Sequence, residues 1–167
     1  AAINLTNDLG LCSATLPSTV LTAYDNCAAA ANITITNDYA GSTSGSDIGG
    51  SYPVGTTTVT VTAADPSTAA GDATCVVTIN VTDNEAPVVT CANASITKYL
   101  SQSAGFPGGD GFAVIRPSEL GTWTDNCGVD TATVAPDTVW CADIGTLTAT
   151  LTVTDIYGNA DNSCTAS

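Results

Sequence analysis

The sequence contains no histidine, and Glu85 and Glu119 are its only glutamates. Without an imidazole, the Ser–His and Cys–His arrangements that activate a nucleophile cannot be built. Glycoside hydrolysis needs a pair of carboxylates flanking the scissile bond, and most aspartates here fall in predicted turns. We therefore expect a protein that is not an enzyme and has no catalytic residues.

Basic residues are almost absent: the chain has 2 Lys and Arg residues in total and 16 Asp and Glu residues, which gives a net charge of −14. A nucleic-acid partner is excluded because phosphate neutralisation requires Lys and Arg. Binding to an anionic membrane surface is disfavoured for the same reason, whereas divalent cations suit such acidity. Since 44% of the residues are hydrophobic and only 11% are charged, we expect a folded chain.

Long apolar runs are also missing. No stretch approaches the ~20 apolar residues of a membrane helix, so we expect no membrane insertion. The first residues lack the charged and apolar regions of a signal peptide. Ala1 is therefore either a mature N-terminus left after signal removal or the start of a fragment.

The pattern that is present is strand alternation. Thr56–Ala64 and Ala73–Val81 alternate small polar with apolar residues, which is the period of a strand with one wet face. Shorter strands are predicted at Val20–Tyr24 and Gly121–Thr124, and residues 37–51 read as a long exposed loop. No stretch has a convincing helical period. The pattern repeats along the chain, so we expect an all-β protein of two tandem sandwiches, residues 1–84 and 85–167.

Several motifs also carry a family resemblance. They are YPVGTTTVTVTA from Tyr52, TDNEAPVVTC from Thr82, the triplets Asp25-Asn26-Cys27 and Asp125-Asn126-Cys127, and Cys141–Gly145 followed by Tyr157-Gly158-Asn159. In order and spacing they resemble hyalin repeats, and the second half is similar to variants in secreted proteins of the Bacteroidetes group. The resemblance covers nearly the whole chain. It implies immunoglobulin-like sandwiches used in extracellular adhesion or surface architecture.

Seven cysteines without histidine or methionine favour disulfides over metal sites, and hence an oxidising, extracellular compartment. Aligning Thr58–Asp65 with Thr148–Asp155 sets the two halves 90 residues apart and places Cys75 and Cys164 on equivalent last strands. The resulting hypothesis has three bridges: Cys91–Cys164, Cys127–Cys141 and Cys12–Cys27. Spacing alone does not fix this connectivity.

Cys75 is left over, because its partner would fall just before Ala1. Two interpretations remain open. The chain is a fragment of a longer tandem array, or it is a subunit that polymerises, with a neighbouring copy supplying the missing strand or capping the open edge. In the second case Cys75 forms an intersubunit bridge.

The segment Thr82–Pro87 resembles the acidic hinge of cadherin-like repeats, which holds calcium. The candidate ligands are the acidic and amide side chains that could approach this hinge: Asp83, Asn84, Glu85, Asp65, Asp72, Asp125 and Asn126. No cofactor is expected to be required, and calcium is the one candidate. The alternative is that the hinge is a solvated turn and that each Asp-Asn-Cys triplet is an Asx-type turn that caps a loop.

Glycans enter the prediction in two ways. Thr131 and Thr138 resemble the Asp-Thr-aliphatic acceptors of O-linked glycans in the Bacteroidetes group, and both are predicted to lie in loops. Trp123, Trp140 and Tyr157 could form an aromatic platform for surface glycans. The alternative, which we prefer for the tryptophans, is burial in a sandwich core.

Taken together, these features predict a non-catalytic extracellular structural or adhesion protein, a subunit of a surface filament, sheath or array. Its partners would be copies of itself or neighbouring repeats, joined head to tail, with strand complementation as one mode. The alternative function is a carbohydrate- or receptor-binding accessory module of a larger secreted protein.

Overall fold

A computed structural model describes residues 1–25, 32–65, 72–100 and 111–167, apart from the side chain of Thr43. The protein is predominantly β. It divides into two compact units, Ala1–Asn84 and Glu85–Ser167, and the division falls where the sequence repeat places it. No helix in the described ranges is long and apolar enough to cross a membrane.

The first unit contains seven described strands in two sheets. In chain order they are β1 (Ala2–Thr6), β2 (Ser13–Leu16), β3 (Thr34–Asn37), β4 (Ser42–Ser44), β5 (Asp47–Pro53), β6 (Gly55–Ala64) and β7 (Ala73–Thr82). One sheet has the order β1-β7-β6-β3 and the other β2-β5-β4. The β6–β7 hairpin is the longest ladder, and β1 runs parallel to β7 with Ala2 opposite Thr78.

The alternation of β6 and β7 produces the core of this unit. Val59 and Val61 on β6 pack with Val77, Ile79 and Val81 on β7, while the intervening threonines stay at the surface. Each such side chain contributes about 1.5–3 kcal/mol when it leaves water. The second sheet completes this core, chiefly through residues on β2 and β5: Ala14, Leu16, Ile48 and Tyr52.

Residues 37–51, which the sequence predicts as an exposed loop, are instead largely ordered as β4 and β5. Ile48 is only 1% exposed, and Asp47, the first residue of β5, is buried and anchors the strand to the segment that follows β2. The Asp47 carboxylate accepts hydrogen bonds from the Ser18 hydroxyl and the Thr19 N–H, both at 2.6 Å. The loop prediction is therefore wrong, because one buried isoleucine and one buried acid organise a glycine-rich strand.

The described part of the second unit contains the remaining strands, one short α-helix and one 3-10 turn at Cys141–Asp143. They are β8 (Val88–Cys91), β9 (Phe112–Val114), α1 (Pro117–Leu120), β10 (Gly121–Thr124), β11 (Val129–Ala135), β12 (Thr138–Trp140), β13 (Ala149–Asp155) and β14 (Ala160–Ala166). The sheets have the orders β11-β13-β14, β10-β8 and β12-β9. The core is centred on Leu120, Leu151, Val153 and Cys164, none of which is measurably exposed.

The two strands predicted before the Asp-Asn-Cys triplets have different outcomes. Gly121–Thr124 is β10 and pairs with β8. Val20 forms only an isolated bridge to Asp47, and Leu21–Tyr24 belongs to no strand. Strand formation requires a partner, because an extended segment alone leaves its backbone groups without a ladder.

Candidate metal centre

Asp125 lies in the turn that follows β10. Its Oδ1 accepts hydrogen bonds from the N–H groups of Cys127 and Gly128, both at 2.8 Å, which is the Asx-type turn expected for this triplet. Gly128 has a φ of 115°, a conformation that favours glycine. The second oxygen, Oδ2, is buried and accepts no hydrogen bond within the described ranges. The turn therefore occupies one carboxylate oxygen and leaves the other available.

Asp155 ends β13 and is 2% exposed. Its Oδ1 accepts hydrogen bonds from the N–H groups of Tyr157 and Asn159, and its Oδ2 accepts one from Asn159 Nδ2 at 2.8 Å. Burial acts to raise the pKa of this carboxyl, but the hydrogen bonds from Asn159 and Tyr157 outweigh burial, and the pKa lies below its ordinary value. Asp155 is thus held as an anion.

One carboxylate oxygen of Asp125 lies within 4.8 Å of one of Asp155, and these two side chains form a carboxylate group within the second unit. Two like unit charges about 5 Å apart repel by roughly 3 kcal/mol at an effective dielectric constant of 20. Such a group favours a bound cation. Asp83, the candidate ligand that follows β7 in the first unit, is 4% exposed.

The chemistry of the group suits a hard cation. Both side chains offer carboxylate oxygens, and calcium takes six to eight oxygen ligands in flexible geometry. Magnesium demands a near-ideal octahedron and is less well served by ligands fixed on separate turns. The chain has two basic side chains, and one of them, Lys98, forms an ion pair with Glu119 at 2.5 Å. Protein cations are therefore scarce as counter-charges.

Of the predicted ligands, Asp125 belongs to the carboxylate group, whereas Asp65, Asp72 and Glu85 lie outside it. The role predicted for Asp83, which lies in the first unit, stays a prediction. Asn84 uses its backbone N–H to bind Asn7 Oδ1 at 3.1 Å. Asn126 carries an amide and is therefore not a member of the carboxylate group.

Asp155 was not among the ligands predicted from the sequence. A signal was present, because the 90-residue offset makes Asp155 the counterpart of the predicted ligand Asp65. In the structure Asp155 both orders the hairpin and joins the carboxylate group.

The cysteines are arranged partly as predicted. Cys91 and Cys164 form a disulfide with a Cα–Cα distance of 5.6 Å, and Cys75 is an exposed thiol. Cys12 and Cys127 are each disulfide-bonded. Cys27 lies outside the described residues, so its predicted bridge to Cys12 stays a prediction.

The predicted Cys127–Cys141 bridge is wrong. Cys141 remains a thiol at the end of β12, where its sulfur contacts the Gly111 carbonyl at 3.5 Å. The ladder of β12 with β9 sets its position, whereas Cys127 sits in the Asp125 turn after β10.

The candidate glycan acceptors lie in strands, not in loops. Thr131 is exposed on β11 opposite Thr154, and Thr138 is half-buried as the first residue of β12. The loop prediction failed because only two residues separate the end of β11 from the start of β12. Glycosylation itself stays a prediction, with Thr131 the more accessible hydroxyl.

The two tryptophans differ in their environment. Trp123 packs against the core of the second unit, as expected. Trp140 does not: it is 50% exposed, and its ring centroid lies 5.4 Å from that of Phe112. Trp140 borders a cleft of about 320 Å³ that also contains Lys98 and Asp143. Burial was the wrong prediction for this residue, because β12 and β9 form a separate two-stranded ladder.

Comparison with known proteins adds no family to these observations: no protein-family model matches the chain, and no curated protein matches it.

Proposed function

We propose that this chain is a non-catalytic structural or adhesion protein of the extracellular space, a subunit of a surface filament, sheath or array. Its two units are immunoglobulin-like sandwiches of the hyalin-repeat type, and copies of the chain join head to tail. Calcium binds in the second unit, at Asp125 and Asp155. The observation that carries the proposal is the approach of these two carboxylates to each other.

Three features support this function. Each unit has its own apolar core, so the chain is a series of modules. A disulfide crosslinks the first and last strands of the second unit, and disulfides persist mainly outside the cytosol. A calcium ion held by Asp125 and Asp155 would tie together two turns of the second unit, the one after β10 and the one after β13. Such a protein resists unfolding and transmits force, and it does so without catalysing a reaction.

Assembly is the direct test. We expect the purified protein, incubated with calcium under mildly oxidising conditions, to form filaments or ordered arrays that negative-stain electron microscopy resolves. A chelator together with a reductant should return it to single particles. Single particles under every condition would contradict the proposed assembly.

Calcium binding has its own test in thermal unfolding. We expect saturating calcium to raise the Tm of the second unit by roughly 10–20 °C over chelator, because ligand at about 100 times its Kd stabilises by about 2.7 kcal/mol. The variant Asp125→Asn keeps an oxygen for the turn but removes the anionic Oδ2. It should lose most of this shift, and in chelator it should melt no lower than the wild type because one repulsive charge is gone.

The matched control is Asp72→Asn, which makes the same charge change at an exposed aspartate outside the carboxylate group. It should retain the full calcium shift. Identical melting curves of the wild type with calcium and with chelator would exclude the metal centre. An equal loss in both variants would instead assign the effect to overall charge.

The alternative function, a carbohydrate-binding accessory module, is favoured by one observation, the half-exposed Trp140 at the edge of its cleft. An indole face can stack on a sugar ring while Lys98 and Asp143 bind hydroxyls. Single particles in the microscope, combined with oligosaccharide binding that Trp140→Ala abolishes, would favour this function over the filament subunit.

A further inference from the structure

The two aspartates of the carboxylate group use one oxygen in the same way. In Asp125 and in Asp155, Oδ1 accepts hydrogen bonds from two backbone N–H groups, which belong to residues two to four positions ahead in the chain. Two donors fill the acceptor sites of one carboxylate oxygen. In each aspartate, Oδ2 is therefore the oxygen that has room for a cation.

The Oδ2 atoms of the two aspartates have different surroundings. The Oδ2 of Asp125 is buried, and no group in the described ranges donates a hydrogen bond to it. The Oδ2 of Asp155 accepts one hydrogen bond, from Asn159 Nδ2 at 2.8 Å. Because a carboxylate oxygen has two acceptor sites, this bond leaves one site on Asp155 Oδ2. The side chain of Asn159 therefore contacts the oxygen that Asp155 would present to a cation.

The main chain brings the two turns together. The Ile156 N–H donates to the Gly128 carbonyl at 3.2 Å, and Val129 lies opposite Asp155 in the ladder of β11 with β13. The Asp155 N–H binds the Asn159 carbonyl at 3.0 Å and closes the second turn. None of these bonds uses a carboxylate oxygen. The separation of the two aspartates is thus set by strand register and not by their side chains.

The direction of Asp155 Oδ2 depends on a side chain instead. The two N–H bonds fix Oδ1, but rotation of the carboxylate about that end carries Oδ2 away from Asp125, and repulsion between the two anions favours this rotation. The hydrogen bond from Asn159 Nδ2 opposes it. Because the acceptor is charged, this bond is stronger than one between neutral groups.

We propose that Asn159 is the positioning residue of the calcium centre: its side-chain amide holds Asp155 Oδ2 toward Asp125, so that both carboxylates reach one ion. This inference rests on the proposed function and deepens it, because it names the residue that turns two neighbouring aspartates into a binding site. Asn159 does not contact the ion in this arrangement and acts through Asp155.

The variant Asn159→Ala isolates the side-chain amide. It removes Nδ2 and keeps the backbone N–H and carbonyl of residue 159, which bind Asp155 Oδ1 and the Asp155 N–H. We expect titration calorimetry of the full chain with calcium alone to give a Kd about 10–100-fold weaker than that of the wild type, as is typical when a hydrogen bond to a metal-binding carboxylate is lost. The titration is performed at room temperature on folded protein, so a lower Tm by itself does not change the Kd.

The matched control is Asn162→Ala, which removes the same amide from an exposed position on β14 of the same unit. It should bind calcium as tightly as the wild type. An equal loss of affinity in the two variants would overturn the positioning role, because the effect would then not depend on contact with Asp155.

A second measurement needs no variant. In the wild type, the side-chain amide signals of Asn159 in nitrogen-15 NMR spectra should shift during a calcium titration and should follow the Kd from calorimetry, because this amide touches an oxygen that the ion binds. The amide signals of Asn162 should stay in place. A residue that only supports the hairpin would not report the ion, and this titration decides the matter if Asn159→Ala does not fold.

The outcomes separate this inference from the proposed function. An unchanged or tighter Kd in Asn159→Ala, or unshifted Asn159 amide signals, would overturn the positioning role and leave the calcium centre in place. A wild type that gives no binding heat would overturn the calcium centre itself, and the role of Asn159 with it.

Discussion

Replacing Cys91 and Cys164 together with alanine is expected to lower the free energy of unfolding of the second unit by about 4 kcal/mol. The disulfide joins residues 73 apart in sequence, and a crosslink across a loop of that length removes about this much entropy from the unfolded chain. Alanine is the appropriate replacement because Cys164 is fully buried, and serine would add an unsatisfied hydroxyl there.

The measurement can be confined to one unit. Both tryptophans of the chain, Trp123 and Trp140, lie in the second unit, so urea unfolding followed by tryptophan fluorescence reports on that unit alone. The control is Cys75→Ala, which removes an exposed thiol from the first unit. It should leave the fluorescence transition within about 0.5 kcal/mol of the wild type. An unchanged midpoint in the double variant would show that the bridge does not stabilise the fold.

The second large effect is expected in the first unit, where Tyr52→Ala should cost about 3–5 kcal/mol. Tyr52 is fully buried, its ring stacks on Tyr39 with centroids 4.2 Å apart, and its hydroxyl donates to the Ile48 carbonyl at 2.6 Å. Burial raises the pKa of this hydroxyl, so it remains protonated as a donor at neutral pH. Truncation leaves a cavity between the two sheets and an unpaired carbonyl.

Tyr52→Phe separates these contributions. It keeps the ring and loses one hydrogen bond, which should cost about 1–2 kcal/mol. Hydrogen exchange followed by mass spectrometry measures both variants in peptides of β5, β6 and β7, while tryptophan fluorescence should show the second unit unaffected. Equal protection in Tyr52→Ala and Tyr52→Phe would mean that ring packing contributes little to this core.

Local chemistry made part of the fold predictable. The alternation of Thr with Val or Ala predicts β6 and β7, because neighbouring side chains on a strand point to opposite faces. The Asx-type turn at Asp125 is predictable too, since an Asp side chain reaches the backbone N–H groups two and three residues ahead. Each of these features depends on residues close together in the chain.

Other features depend on pairing between distant segments. Residues 37–51 resemble a loop in composition, yet β5 is held by β2 and β4 with Ile48 in the core. Leu21–Tyr24 resemble a strand, yet no described strand pairs with them. Composition describes a segment's own preferences, whereas pairing decides whether those preferences are realised.

By itself the sequence determined an all-β chain of two repeats, the equivalence of Cys75 and Cys164, and an excess of negative charge for which protein cations are too few. These follow from period, spacing and composition. Only the tertiary structure decided that the Asp155 carboxylate lies beside that of Asp125, that Cys141 stays a thiol, and that an apolar groove lies beside Cys75. The reason is physical: such sites form where side chains far apart in sequence meet, and strand register sets which of them do.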